Sequence, residues 1–132
     1  LMAEDRIGLN HIRIEKKYAG NIRINVDKEK IKIAFLNIII NAIEAMEPDL
    51  GVLKIETKTE GKNCVVLISD NGIGMDENSL NKLFEPYFTN KPSGNGLGLA
   101  NTQNIIFNHK GTITVSSTEG RGSVFVIRLA MA

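Results

Sequence analysis

The chain has almost no means of cross-linking itself. One cysteine, Cys64, among 132 residues excludes an internal disulfide and fits a reducing compartment. Cys64 falls in the strand-like run Asn63-Cys64-Val65-Val66-Leu67-Ile68, where the expected role is a small buried residue rather than a reactive thiol. No apolar run approaches the ~20 residues needed to cross a bilayer. Glu4-Asp5-Arg6 interrupts any apolar start, which argues against a secretory signal. Charge of one sign is lacking as well. The formal net charge is +1 with no basic run of five or more, so nothing points to nucleic acid. The chain also lacks a G-x-x-x-x-G-K-[ST] phosphate loop, and Gly94-Asn95-Gly96-Leu97-Gly98 fails the G-x-G-x-x-G dinucleotide pattern. These absences lead to the expectation of a cytoplasmic domain without direct membrane contact, belonging to a longer chain.

What is present is the composition of a globular protein, 42% apolar and 23% charged. One domain over residues 1–132 is expected, with roughly two-thirds of the unfolded surface buried. His11-Ile12-Arg13-Ile14-Glu15-Lys16-Lys17-Tyr18 alternates as a strand does, and Ile22-Arg23-Ile24-Asn25-Val26 repeats the pattern. Asp27 reads as the N-cap of a helix over residues 28–46, stopped near Pro48 and Gly51. The β-branched run Ile38-Ile39-Ile40 leans toward strand. The spacing of Ile31, Phe35, Ile38, Ile39, Ala42, Ala45 and Met46 is helical, and it decides for helix. Strands are expected over 53–59 and 64–69. Asn71-Gly72 has the form of a type I′ hairpin turn, yet Asp76 then reads as another N-cap, before a short helix through Leu80, Leu83 and Phe84. Residues 85–95, with two prolines and several polar residues, predict a mobile loop. A helix over 97–108 ends at His109-Lys110-Gly111, with a glycine in the C′ region. Strands over 112–117 and 123–129 finish the chain. The order predicts an α/β sandwich, with helices on one face of a mostly antiparallel sheet.

Two stretches concentrate the chemistry. Asp70-Asn71-Gly72-Ile73-Gly74-Met75 and Gly94-Asn95-Gly96-Leu97-Gly98-Leu99 place glycines at alternate positions, where backbone can approach a ligand closely. Asp70 ends an apolar strand. It is either an ordinary turn acid or a carboxylate that accepts from an exocyclic amine such as that of adenine. Gly94, Gly96 and Gly98 could offer N–H groups to phosphates, with the following helix aiming its positive end at them. On the long helix, Lys30, Asn37, Asn41 and Glu44 fall within about 40° of one line. This stripe is either a solvent-facing edge or a ligand-facing one. Two asparagines one turn apart are poor helix formers, and their amide oxygens suit Mg²⁺ that already carries a nucleotide's charge.

Taken in order, Asn37-x-x-x-Asn41-Ala42, Asp70-x-Gly72-x-Gly74-Met75, Leu83-Phe84-Glu85-Pro86-Tyr87-Phe88 and Gly94-x-Gly96-Leu97-Gly98-Leu99 strongly resemble four boxes of one family. They are similar to the N box, first glycine box, F box and second glycine box of the catalytic ATP-binding domain of sensor histidine kinases. Glu119-Gly120-Arg121-Gly122-Ser123 resembles the family's last glycine motif, so the likeness covers essentially the whole chain. The wider superfamily includes DNA gyrase, mismatch-repair MutL and the ninety-kilodalton heat-shock chaperones. The resemblance implies an α/β (α+β) two-layer sandwich: a mixed, mostly antiparallel five-stranded sheet, three helices on one face and a mobile ATP lid. It implies ATP and Mg²⁺ as ligands. Asp70 would receive the adenine amino group and Gly74 would pack by the ring, with Gly72, Met75, Phe84, Leu97 and Leu99 in the same ATP site. Asn41 would coordinate Mg²⁺, and Asn37 would assist at the phosphates and metal. The lid would span residues 85–95, with Lys91 as a phosphate contact. Gly94 would belong to the site, Gly96 and Gly98 would touch the phosphates, and Ser123 would support Asp70 through water.

One position separates the branches. Where ATP-hydrolysing members carry a glutamate that activates water, this chain has Asn37, which cannot act as a base. The resemblance therefore implies delivery of the γ-phosphoryl group to a histidine on a separate helical dimerisation domain, and from there to a response regulator. His11 and His109, the only histidines, lie in no acceptor-like motif and are expected to be structural. There are two departures: Ser123 stands where threonine is commoner, and Glu44 where many relatives carry a basic residue. The rival readings are a related ATPase or protein serine kinase, and a non-catalytic ATP-binding sensor or scaffold.

Overall fold

The computed structural model describes residues 11–86, 88 and 98–132. Among them the chain order is β1 (Arg13–Lys17), α1 (Lys28–Ala45), β2 (Val52–Glu60), β3 (Asn63–Asp70), α2 (Glu77–Lys82), α3 (Gly98–Asn108), β4 (Thr112–Thr118) and β5 (Gly122–Ala130). The strands form one five-stranded sheet in the order β1-β2-β3-β5-β4. β1 pairs parallel with β2, and the other neighbours are antiparallel. The predicted mixed, mostly antiparallel sheet with three helices is thus the observed one.

Local chemistry sets the helix limits. The Asp27 carboxylate accepts from the Lys30 N–H at 3.2 Å, and Glu29 adds a negative charge to the first turn of α1. The helix ends where the Met46 N–H turns back to the Ile43 carbonyl at 3.2 Å, two residues before Pro48. Its buried residues, Ile31, Ala34, Ile38, Ala42 and Ile43, recur at helical spacing. That stripe needs a helix to reach one core, which is why the Ile38-Ile39-Ile40 run does not become a strand.

The helix-facing side of the sheet is built in rows. Register places Ile55, Ile68, Phe125 and Val115 side by side, followed by Thr57, Val66, Ile127 and Ile113. Phe125, Ile127 and Ile68 are buried in the core with Ile38, Ile43 and Ile106 from the helices. Burying a side chain of this size contributes about 1.5–3 kcal/mol. Cys64 lies in the same core, and burial pushes its thiol pKa up, as expected of a structural cysteine.

Two local expectations are corrected. Residues 22–26 do not form a strand: Ile24 makes one isolated antiparallel bridge to Met131, and the Arg23 carbonyl accepts from the Ala132 N–H at 2.8 Å. Ile22, Ile24 and Val26 nevertheless pack on the core. Alternation therefore reported an extended segment with one buried side and not a ladder. At the end of α3 the left-handed residue is Lys110, at φ 60°, rather than Gly111. The Gly111 N–H closes the helix on the Ile106 carbonyl at 2.9 Å.

Candidate functional site

The apolar rows of the sheet stop at a polar one. Asp70, the last residue of β3, lies opposite Leu53 on β2 and Ser123 on β5, and Ser123 lies opposite Ser117 on β4. Side chains directly opposite one another share a face. Asp70, Ser123 and Ser117 therefore stand in one line at the edge of the helix-facing surface. Asp70 is half-buried and Ser123 buried. The two serine hydroxyls lie 2.8 Å apart.

The segment after Asp70 is folded back on this edge by a set of short bonds. The Asp70 carboxylate accepts from the Gly72 N–H at 2.8 Å. The Ile73 N–H donates to the Ala45 carbonyl at 2.9 Å, and the Ile73 carbonyl accepts from the Gly120 N–H at 2.7 Å. The Met75 N–H donates to the Ser117 hydroxyl at 2.8 Å. Asn71 clamps the start of β2, accepting from the Val52 N–H at 2.8 Å and donating to the Leu50 carbonyl at 3.0 Å. The glycines were expected to let the chain pass a flat ring, but the structure gives them a nearer steric reason. A Cβ on Gly72 would lie 2.4 Å from the Ala45 carbonyl oxygen, and one on Gly74, at φ 67°, 2.1 Å from that of Thr118. An open cleft of about 430 Å³ borders this turn, lined by Ala45, Glu47, Leu50, Asn71, Gly72, Ile73 and Gly120.

The other half of the site lies between α1 and α3. The polar stripe of α1 divides: Lys30 and Glu44 are exposed, while Asn37 and Asn41 are half-buried. The Asn37 amide donates to the Gly98 carbonyl at 3.1 Å, and the Thr102 hydroxyl donates to the same oxygen at 2.9 Å. Asn37 thus fastens the start of α3 to α1. A cleft of about 620 Å³ opens here, lined by Ile33, Asn37, Pro86, Gly98, Ala100, Asn101 and Asn104. Among the described residues no group of three His, Cys, Asp or Glu could hold a metal. The oxygen of Asn41 is a hard neutral donor that fits Mg²⁺ as one of several ligands, the rest coming from water and phosphate.

Met75, Phe84 and Leu99 pack partly buried against the core. Lys91, Gly94, Gly96, Leu97 and most of the expected lid lie outside the described residues. Both histidines are engaged structurally. His11 pairs with Asp49 at 2.6 Å on the surface. His109 accepts from the Asp27 N–H through Nε2 at 3.0 Å, and its Nδ1 lies 2.8 Å from the Ile105 carbonyl oxygen, so both ring nitrogens are engaged within the fold. Sequence reasoning missed Ser117 and Thr102. Each carried a signal: Ser117 continues the inward set Ile113, Val115, and Thr102 stands three and four residues before Ile105 and Ile106, on the face of α3 that is buried.

Known proteins are similar to this chain in sequence and fold. Residues 26–132 match the family described as Histidine kinase-, DNA gyrase B-, and HSP90-like ATPase. The chain is 43% identical to the sensor histidine kinase ZraS of Salmonella typhimurium over 108 residues, which is 81% of this chain and 23% of that protein. It is 36% identical to sporulation kinase B of Bacillus subtilis over 118 residues, 89% of this chain and 28% of the relative. It therefore spans about a quarter of the length of these relatives. A nucleotide-free structure of the catalytic domain of histidine kinase ThkA superposes with a TM-score of 0.86 at 30% identity, covering 98% of this chain and 85% of that one. The chain belongs to the histidine kinase-, gyrase- and HSP90-like ATPase family, as a catalytic ATP-binding domain of the sensor histidine kinase kind.

Proposed function

We propose that this chain is a single domain that binds Mg-ATP and donates the γ-phosphoryl group to a histidine on a separate helical dimerisation domain, for onward transfer to a response regulator. The observation that carries the reading is the line of Asp70, Ser123 and Ser117 closing a mainly apolar sheet face, beside a turn held by the Asp70 carboxylate and by main-chain bonds. Asp70 accepts the adenine amino group there, with Ser123 supporting it through water. Gly72, Gly74, Met75, Phe84 and Leu99 form the walls around the base. Gly94, Gly96, Leu97, Gly98 and Lys91 serve the phosphate end.

Mg²⁺ supplies charge neutralisation at the phosphates when bound, with Asn41 as its protein ligand. Phosphoryl transfer needs mainly positioning and electrostatic stabilisation, so an amide in place of a base at Asn37 is no defect for delivery to a protein acceptor. Asn37 instead holds the start of α3 in place through the Gly98 carbonyl. Neither histidine serves as acceptor, since both ring nitrogens of His109 are bonded within the fold and His11 pairs with Asp49. The domain is cytoplasmic in this reading; no helix among the described residues is long and apolar enough to cross a membrane.

The test mixes the chain with the helical domain of its own kinase, radiolabelled ATP and Mg²⁺. Acid-labile label on the helical domain is expected. Label on serine, or free phosphate alone, would overturn the reading in favour of a serine kinase or an ATPase. Asn41→Ala should abolish most of the Mg²⁺ dependence of ATP binding, and a variant that kept it would remove Asn41 from the metal.

A further inference from the structure

We propose that Ser117 is a positioning residue for the nucleotide base: its hydroxyl holds the backbone at Met75 to the sheet edge and sets the orientation of the Ser123 hydroxyl opposite Asp70. The inference rests on the nucleotide reading of this site and adds a residue to it.

Proton counting carries the argument. A hydroxyl has one proton and two lone pairs. The Ser117 oxygen accepts from the Met75 N–H at 2.8 Å, and it lies 3.0 Å from the Gly122 carbonyl oxygen and 2.8 Å from the Ser123 hydroxyl. The carbonyl can only accept. When Ser117 gives its proton to Gly122, Ser123 must donate to Ser117, and Ser123 then meets its surroundings with lone pairs alone. When Ser117 turns its proton to Ser123, the Ser123 proton is released to another acceptor. Asp70 is its direct cross-strand partner, and such pairs hold their Cβ atoms about 4.5–5.5 Å apart. Ser117 thereby governs whether the carboxylate faces a donor or, through water, an acceptor.

That choice bears on which purine the site accepts. Adenine presents an amino donor at the position where guanine presents a carbonyl acceptor. The ionised Asp70 carboxylate accepts in either case, which suits the first and rejects the second, and the Ser123 proton decides which of its lone pairs is left open to the base. Losing the Ser117 hydroxyl should loosen the Met75 backbone and blur that distinction together.

The test is calorimetric titration of the chain with ATP and with GTP, alongside a thermal melt. In Ser117→Ala the ATP Kd is expected to rise about tenfold, the scale of one lost hydrogen bond, and the preference for ATP over GTP to shrink by a similar factor. Ser117→Thr, which keeps the hydroxyl, should recover most of both. Should Ser117→Ala melt at the assay temperature, Ser117→Cys, with nearly the same volume and a poor hydrogen-bonding group, carries the same expectations. A folded variant with unchanged ATP affinity overturns the proposal. So does equal weakening of ATP and GTP, the mark of a purely structural role. A wild-type chain that binds no ATP overturns the nucleotide reading itself, whereas wild-type binding with an insensitive Ser117 variant overturns only the role of Ser117.

Discussion

At the Asp70 end of the candidate site main-chain bonds share the fastening with side chains, whereas at the Asn37 end the fastening is done by side chains. Around residues 70–75, Ile73 bonds to Ala45 and Gly120 through main-chain groups, and two glycines fill spaces that a methyl group could not enter. Between α1 and α3, the Asn37 amide donates to the Gly98 carbonyl and the Thr102 hydroxyl lies 3.3 Å from the Ala34 carbonyl oxygen. A backbone bond survives any side-chain substitution except proline, while a side-chain bond is lost with one. The Asp70 end therefore keeps anchors that no side-chain truncation removes, and the Asn37 end is the part of the site that such truncations reach most directly.

The sharpest way to break this contrast is Gly74→Ala. The left-handed backbone costs about 1–2 kcal/mol and the overlap with the Thr118 carbonyl about 1–3 kcal/mol. A loss of roughly 2–5 kcal/mol is therefore expected in a urea melt, and a variant as stable as the parent would show that the Asp70 end is not held this tightly. Asp70→Asn tests the same end through binding. It should weaken ATP by about 1.5–3 kcal/mol, the worth of a hydrogen bond to a charged group, and unchanged affinity by titration calorimetry would remove Asp70 from the base.

Asn37→Ala probes the opposite end. Losing its bond to Gly98 should cost about 0.5–1.5 kcal/mol, read as faster amide exchange in the first turn of α3 with exchange at residues 72–75 unaffected. Acceleration at both places would erase the distinction. The smallest effect is expected outside both regions, at the N-cap of α2. Hydrogen bonds from the Ser79 backbone and hydroxyl hold the Asp76 carboxyl below its usual pKa. A depressed carboxylate stabilises the fold above the ordinary aspartate range and loses that contribution as pH falls through its lowered value. Fraying of α2 should thus set in as pH falls below the ordinary aspartate range, and Asp76→Asn should flatten that acid dependence in circular dichroism.

How far the sequence revealed the fold depended on how local the determining chemistry was. Asp27 and Asp76 were readable as caps because a carboxylate three residues before an amide N–H needs no other part of the chain. The alternation over residues 22–26 was visible, but its meaning depended on whether a partner strand lay alongside, and the partner there is a bridge at Met131. The glycines at 72 and 74 stood out for the right reason, close approach. What approaches, the carbonyls of Ala45 and Thr118, comes from elsewhere in the sequence and could not be read. Ser117 acquires its place only once β4 and β5 are in register.

The bonds at the two ends of α3 have a mechanical consequence. This helix, of 11 residues, is about 16 Å long at 1.5 Å per residue. It is bolted to α1 near its start through Gly98 and just beyond its end through His109 and the Asp27 N–H. A bar fixed at two points can neither slide nor roll against its support. Any displacement imposed at the Gly98 end must bend the bar, shear a bolt or swing α1 with it. The helix pair then acts as one stiff lever, and His109, far from the candidate site, is its second fulcrum.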